Sequence, residues 1–405
     1  MSGPARPVSA AVARRPPPGH AAAEHVEAPL GFDASALLWR VWIPIPIILL
    51  LLDLTFGWYF WSIPKLTPRW ADFGYQFVSD VHRLRQPPPG DAVRVVAVGS
   101  SVSGSFDPHQ VGRLLVGRLP VPVAVDRLLL PGIKPSDVRL FFATERAVIR
   151  PDVVVIVVNL VDFLNPSFER DLKQQVRYVL PPWRTLRERW DYIPVTGRLD
   201  LVAAGVSDLY RYRKAIRSAL KDHAKLVWRW ARRGWSPYPP AVDGKIDTFL
   251  RFGEPMGSEF AVRWEAELHG DSAFARRFRR YRELKVGLRD EPFEADGEYA
   301  ELEGLVREFS EHGTAVVVVN SPESSWILRE YGDGPYYVAY RAFFAALSRR
   351  YANVSYADLS ETLPPQDFND WHHVNYIGTE KLGPTYAALI EAAVSRRLAL
   401  RPRDP

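Results

Sequence analysis

The stretch VRVVAVGSSVSGSF, Val93 to Phe106, decides the fold class. Its first six residues are mostly β-branched and apolar, as in a short strand that is buried on both faces. The run stops at a polar turn, Gly99-Ser100-Ser101. Sites in parallel α/β sheets lie beyond the carboxyl ends of the strands. Ser101 is therefore a candidate nucleophile, and an ordinary loop serine is the alternative.

Further strands alternate with helical segments along the chain. We predict strands at VPVAVDRLLL (121–130), VVVIVVN (153–159), AVVVVN (315–320) and, more weakly, NVSYADL (353–359). Helices are predicted from Asp107-Pro108 to about Leu119, after a cap at Ser136, before Gly313, over about 335–351 and over about 377–397. Buried strands separated by helices predict a three-layer α/β domain with a parallel sheet.

Composition narrows the function classes. The 405 residues are 47% hydrophobic and 24% charged, which predicts a packed core. The net charge of +5 is modest, and without a recognition signature it does not predict nucleic acid as a partner. The absence of cysteine excludes disulfides, thiolate metal sites and a cysteine nucleophile, and it suits a chain working outside the cytoplasm. No cofactor is predicted, and the adjacent His372 and His373 lack an obvious third metal ligand.

The N-terminal region predicts a membrane anchor. Residues 1–37 form a predicted disordered tail, rich in Ala, Pro and Arg. The run VWIPIPIILLLLDLTFGWYFWSI, Val41 to Ile63, holds one charge, Asp53, and predicts a transmembrane helix within 38–63 with the lipid bilayer as partner. A signal peptide is the alternative, but no cleavage site is present. Asp53 is either a tolerated acid or a contact to a partner membrane protein.

The rest of the chain divides into a linker over 64–90 and a domain over 91–400, with a helical insertion at about 165–295. The insertion contains Ser207 to Trp235, with nine Lys or Arg against two Asp and three tryptophans near its end. Ser207 is a good N-cap. Such a basic helix suits an anionic membrane or an acidic polymer. The alternative is a solvated helix whose tryptophans pack on the domain.

A second chemical block lies near the C-terminus, in DFNDWHHVNYIGTEKLG, Asp367 to Gly383. A nucleophilic serine needs a base, and an imidazole base needs a carboxylate that holds its tautomer. The spacing of Asp370 and His373 suits this pair, which makes Ser101, His373 and Asp370 the candidate catalytic residues. His372 is less suited, because Asp370 would have to fold back sharply to reach it. The alternatives are a capping or core histidine and an aspartate that only caps the last helix.

These blocks resemble the SGNH (GDSL-like) hydrolase superfamily over about residues 90–163 and 300–397. Gly99-Ser100-Ser101 matches the first block, LLLPGIKPSD the second, and HGTAVVVVNSPES the fourth strand and its loop. DWHHVNYIG matches the last block, including Asn375 and Gly378. The resemblance implies a flavodoxin-like sheet, a Ser-His-Asp triad and oxyanion donors at the N–H groups of Ser101 and Gly132.

One block departs from the family pattern Gly-x-Asn-Asp. Here the sequence is Asn159-Leu160-Val161-Asp162, so Val161 stands at the usual Asn position, and Asn159 is the substitute donor that we consider. The resemblance implies a membrane-anchored esterase or O-acyltransferase that acts on a surface glycan outside the cytoplasm. An integral-membrane acyltransferase would be its partner. The alternative is a non-catalytic scaffold or polymer-binding subunit of a cell-envelope assembly, which Val161 favours.

Overall fold

The computed structural model describes residues 43–62, 80–81, 83–163, 181–188, 195–213, 273–368 and 371–400, with single positions between 190 and 232. The chain divides into two compact units, Met1–Leu51 and Leu52–Pro405, and the whole sheet belongs to the second unit. The predicted tail, most of the predicted linker and Asp370 lie outside the described residues.

Five parallel strands form one sheet, as the alternating pattern predicts. They are β1 (Val93–Gly99), β2 (Val123–Leu129), β3 (Val153–Val158), β4 (Ala315–Asn320) and β5 (Val354–Asp358), in the order β2-β1-β3-β4-β5. In the register, Gly99 lies between Leu129 of β2 and Val157 of β3. The strand order reverses between β1 and β3, and in doubly wound sheets ligands bind at such a switch point.

Helices accompany the sheet in the described part of the chain. They are α1 (Pro44–Ser62), α2 (Pro108–Leu115), α3 (Pro135–Ile149), α4 (Pro182–Glu188), α5 (Val195–Val206), α6 (Ala273–Gly287), α7 (Gly297–Glu311), α8 (Ser325–Tyr331), α9 (Pro335–Arg350) and α10 (Tyr376–Leu400). Apolar residues of α3, α7 and α9 pack on one face of the sheet, and those of α2 and α10 pack on the other. The domain therefore has three layers, and the predicted α/β class is confirmed.

Two helix ends differ from the sequence prediction. Helix α2 ends at Leu115 instead of about Leu119, because Gly117 takes a left-handed φ of 76° that a helix cannot continue through. Ser136 is not the cap of α3, since the helix begins at Pro135. Its N–H and hydroxyl instead donate to the Glu298 carboxylate at the start of α7, 2.9 and 2.8 Å away. Ser136 thus joins two helices of one layer.

Part of the predicted linker belongs to the domain. Val81 and Leu84 are buried in the core beside α3. The guanidinium of Arg94, inside β1, donates to the carbonyls of Leu84 and Ile149, each at 2.7 Å. Because these bonds satisfy a buried charge within β1, the described residues 83–86 are held as part of the fold.

Helix α1 occupies the apolar run in which the transmembrane helix was predicted. Among the described residues, no helix has both the length and the apolar character that crossing a membrane requires. Asp53 has a partner within the chain: its carboxylate accepts from the Ser207 hydroxyl at 2.9 Å and from the Leu209 N–H. Asp53 therefore makes polar contacts within this chain, and a contact to a partner membrane protein stays a prediction.

The insertion is helical where it is described. It contains α4, α5, the helical residues 208–213 and α6. Ser207 is the N-cap that the sequence predicts, because its Oγ accepts from the Tyr210 N–H at 3.0 Å. Most of the predicted basic helix beyond residue 213 lies outside the described residues.

Candidate active site

Ser101 follows β1 and begins a short 3-10 helix, Ser101–Ser105. Its neighbours hold this turn: the Ser103 hydroxyl donates to the Ser100 carbonyl at 2.8 Å, and the Ser105 hydroxyl lies 2.9 Å from the Tyr386 hydroxyl of α10. Burial of Tyr386 raises its phenol pKa to about 12. The Ser101 backbone is therefore fixed from the sheet on one side and from α10 on the other.

Position 99 requires glycine, because the backbone of the neighbouring strand β3 leaves no room for a side chain there. A Cβ at Gly99 would lie 2.4 Å from the Val157 carbonyl oxygen and 3.0 Å from the Ser103 Cβ. The first of these atoms belongs to the neighbouring strand, so a side chain at this position must push β1 away from β3.

We expect Gly99→Ala to lower the free energy of unfolding by about 1–3 kcal/mol, the usual cost of overpacking. The control is Gly112→Ala in α2, where the nearest atom is a Val125 methyl at 3.9 Å. That variant is expected to gain up to about 1 kcal/mol from helix propensity. Denaturant unfolding measures both, and equal stabilities of the two variants would contradict the prediction.

His373 lies on a loop whose two ends are pinned. Phe368 and Val374 form an antiparallel bridge that closes the loop. Asn375 then donates its backbone N–H to the Asp367 carbonyl at 2.8 Å, and its side-chain oxygen accepts from the Gly378 N–H at 3.0 Å. Because Asn375 joins the loop to the first turn of α10, the histidine is placed by the helix and not by a free chain segment.

The structure brings Ser101 and His373 together, although 272 residues separate them in the chain. Ser101 Oγ lies 2.8 Å from His373 Nε2, within the range that a nucleophile and its base require. When Nε2 carries no proton, the serine hydroxyl donates to it. The His372 ring is buried and packs 4.2 Å from the His373 ring. The geometry therefore assigns the contact with Ser101 to His373, as the sequence predicts.

Gly132 lies beyond β2, the neighbour of β1. The Ile133 N–H donates to the Leu130 carbonyl at 2.9 Å, and Gly132 has a φ of 70°. Pro131 followed by a left-handed glycine makes a type II turn. Ser101 and Gly132 thus follow paired strand ends at the same edge of the sheet. Their roles as oxyanion donors stay predictions, as does the role of Asp370.

Asn159 lies at the end of β3, and both the nitrogen and the oxygen of its side-chain amide form hydrogen bonds. Its Nδ2 donates to Ser321 Oγ at 3.2 Å and to Glu323 Oε1 at 2.9 Å. Its Oδ1 accepts from the Val161 N–H at 3.1 Å and from Lys285 Nζ at 3.2 Å. An amide has two donor hydrogens. Donation to an oxyanion would therefore require Asn159 to break one of these two bonds.

Lys285 and Glu323 form an ion pair with no exposed side-chain surface, and sequence reasoning missed it. Lys285 Nζ lies 2.8 Å from Glu323 Oε2 and 3.4 Å from the Tyr331 hydroxyl, which also donates to Glu323. Burial raises the pKa of Glu323, while Lys285 and Asn159 act to lower it. The one signal in the sequence is Glu323, three residues after Asn320 at the end of an otherwise apolar strand. Nothing points to Lys285, which lies in an insertion outside the resemblance.

The residues after β4 connect this ion pair to the histidine loop. The Ser321 N–H donates to the Val158 carbonyl at 2.8 Å, and the Ser324 N–H donates to the Trp371 carbonyl at 2.7 Å. Glu323 lies between these two residues. The buried cluster of Asn159, Lys285, Glu323 and Tyr331 therefore lies between the end of β3 and the loop that carries His373.

Within the described ranges, no group of three His, Asp or Glu side chains is placed to hold a metal ion.

Comparisons with known proteins give two partial matches. A family model without a functional description matches residues 256–395, which include His373 and Lys285 but not Ser101. A protein of Leptospira interrogans serogroup Icterohaemorrhagiae serovar Lai (strain 56601), described as uncharacterized, is 26% identical over 206 residues. That match covers 44% of this chain and 38% of the relative's own length. Neither match carries a stated activity, so the geometry of the site alone bears on its chemistry.

Proposed function

We propose that this protein is a serine esterase or O-acyltransferase in which Ser101 is the nucleophile and His373 the base. The observation that carries the proposal is the 2.8 Å contact between Ser101 Oγ and His373 Nε2 at the switch point of the sheet. The resemblance to SGNH hydrolases supplies the substrate class, an acylated surface glycan, and the role of Asp370 as the carboxylate that orients His373.

In the proposed reaction, Ser101 Oγ forms a bond to the ester carbonyl carbon while His373 Nε2 takes the hydroxyl proton. The carbonyl oxygen becomes an oxyanion, which the N–H groups of Ser101 and Gly132 would hold. When the tetrahedral intermediate collapses, the bond to the leaving alcohol breaks and that alcohol takes the proton from His373. Water or a glycan hydroxyl then attacks the acyl-serine in the same way and releases Ser101.

A non-catalytic scaffold is the second candidate, and Asn159 favours it. Both amide hydrogens of Asn159 are donated within the buried cluster, and Val161 at the next candidate position has no polar side chain. Loss of one oxyanion donor typically costs about 10²–10³ in rate. A chain with two backbone donors is thus a slow esterase, a transferase that depends on its acceptor, or a binding subunit.

A fluorophosphonate probe separates the two candidates, because it reacts with activated serines and not with ordinary ones. We expect full-length protein to be labelled at Ser101, as located by mass spectrometry of peptides. Ser101→Ala should lose the label. Ser348→Ala is the control, since it removes a hydroxyl of α9 that only donates to the Ala345 carbonyl of the same helix, and it should keep the label. Absence of labelling in folded protein would support the scaffold candidate.

We also propose that the domain lies outside the cytoplasm, beside a membrane that holds an integral-membrane acyltransferase. The apolar run around Asp53, the lack of cysteine and the resemblance support this location. An alkaline phosphatase fused after residue 405 is expected to be active in cells, because that enzyme requires an oxidising compartment. Activity of a cytoplasmic reporter at the same position would overturn the proposed location.

A further inference from the structure

Helix α5 of the insertion presents an apolar stripe to solvent. Val195, Leu199, Val202 and Val206 are 39–74% exposed, and their spacing of four, three and four residues places them on one side of the helix. The other side is already packed, because Leu201 is buried with Leu186 and Ile193 of the same insertion. Helix α5 is therefore apolar on both sides, and one of them lacks a protein neighbour among the described residues.

The exposed stripe continues onto α1. Val206 is followed by Ser207, whose hydroxyl donates to Asp53 of α1. On either side of Asp53, Leu52 and Leu54 are exposed as well. The hydrogen bond thus places residues 52–54 of α1 beside the C-terminal end of α5, and it satisfies the charge of Asp53.

Aromatic and cationic side chains border this surface. The Arg198 guanidinium lies 4.1 Å from the centre of the half-exposed Trp190 ring, and that of Arg213 lies 3.7 Å from the centre of the Tyr210 ring. Aromatic rings and arginines around an aliphatic face are typical of residues at the boundary between lipid headgroups and acyl chains. Arg213 also pairs with the Asp200 carboxylate of α5, so the border carries both signs of charge. The exposed Trp190 ring and the Arg198 guanidinium are the features of the border that favour anionic lipid headgroups over a protein partner.

We infer that the stripe of α5, together with Leu52 and Leu54, is a lipid-contact surface that lies in the interfacial layer of a phospholipid bilayer. Arg198 and Arg213 lie at the level of the headgroups. Helix α5 is about 18 Å long at 1.5 Å per residue, so the surface lies along the bilayer and does not cross it. This inference rests on α5 and on the part of α1 beside Asp53, and it is independent of the chemistry proposed for Ser101.

The absence of cysteine allows a direct test with the full-length protein. Leu199→Cys and Val206→Cys, each labelled with the fluorophore NBD, report on the stripe. Val116→Cys is the control, because Val116 is 81% exposed at the end of α2. Each labelled protein is reconstituted into vesicles of phosphatidylcholine with phosphatidylglycerol. Lipids that carry a doxyl quencher measure contact with acyl chains, and iodide measures exposure to water.

We expect doxyl lipids to quench the probes at 199 and 206 at least about twofold more than the probe at 116, with the reverse order for iodide. Equal quenching at all three positions would overturn the inference. So would iodide protection of 199 and 206 without doxyl quenching, because protein would then cover the stripe. Denaturant unfolding of each labelled protein shows that the variants are folded. Fluorophosphonate labelling of Ser101 in the same samples tests the esterase proposal separately, and its failure would leave the lipid-contact inference standing.

Discussion

His373→Ala is expected to lower the rate at which Ser101 reacts with an activated ester by roughly 10²–10⁴-fold, the usual contribution of a general base. The reason is the 2.8 Å contact, since Ser101 has no other base among the described residues at hydrogen-bonding distance. The measurement is release of nitrophenolate from p-nitrophenyl acetate by full-length protein, with fluorophosphonate labelling as a second readout. A fall in labelling should accompany the fall in hydrolysis.

His372→Gln is the matched control for this prediction. It replaces the neighbouring ring, which packs against His373 and forms no hydrogen bond with Ser101. We expect a rate within about tenfold of the parent, from small shifts of the loop. If His372→Gln lost as much activity as His373→Ala while remaining folded, His372 would be the base and the assignment of that role to His373 would be wrong.

Lys285→Met should lower the free energy of unfolding by about 3–5 kcal/mol, because it leaves the Glu323 carboxylate buried without its cation. The pair has no exposed side-chain surface, so water cannot take the place of the ammonium. Arg282→Met is the matched control on the same helix. Arg282 is half exposed and pairs with Glu330 at 2.6 Å, so its loss should cost at most about 1 kcal/mol. Denaturant unfolding distinguishes the two variants.

The double variant Lys285→Met, Glu323→Gln separates loss of the charge pair from loss of packing. No uncompensated charge remains in it, so it should recover at least about 1 kcal/mol relative to Lys285→Met. If the double variant were less stable than the single variant, the buried charge would not be the cause of the instability.

The pH dependence of Lys285→Met follows from the same carboxylate. Burial already raises the pKa of Glu323 above its ordinary value of 4.5, and removal of Lys285 takes away the main influence that lowers it. Between the unfolded and folded pKa values the native state binds the proton and the unfolded state does not, so stability falls as pH rises. Acidification towards pH 4.5 should therefore reduce the stability gap between Lys285→Met and the parent.

The central strands β1, β3 and β4 could be predicted because their whole length is buried. Val153–Val158 and Ala315–Asn320 are buried at every position, and such apolar runs between helices have few alternatives to a parallel sheet. The positions of Ser101 and His373 could be predicted for a related reason. Each lies beside a recognisable element, one at the end of β1 and the other just before α10.

Helix ends and partners were harder to predict, since they depend on contacts distant in the sequence. From the sequence alone Ser136 is a candidate cap of α3, but its backbone N–H and its hydroxyl both donate to the Glu298 carboxylate of α7. Asn159 reads as a possible donor to an oxyanion, but Lys285 and Glu323, 126 and 164 residues away, hold its carboxamide. From the sequence alone Asp53 is an acid within an apolar run, and its hydrogen-bond partners Ser207 and Leu209 lie over 150 residues later in the chain.

The sequence by itself determined the parallel sheet and the two chain segments that carry the serine and the histidine, because burial patterns and turn residues are local properties. Only the tertiary structure decided that Ser101 Oγ and His373 Nε2 lie at hydrogen-bonding distance, and that the Asn159 side chain is bound to a buried ion pair. Hydrogen-bond partners depend on which strand ends and helices come together in space. That choice is made by the packing of the whole domain, and no short stretch of residues contains it.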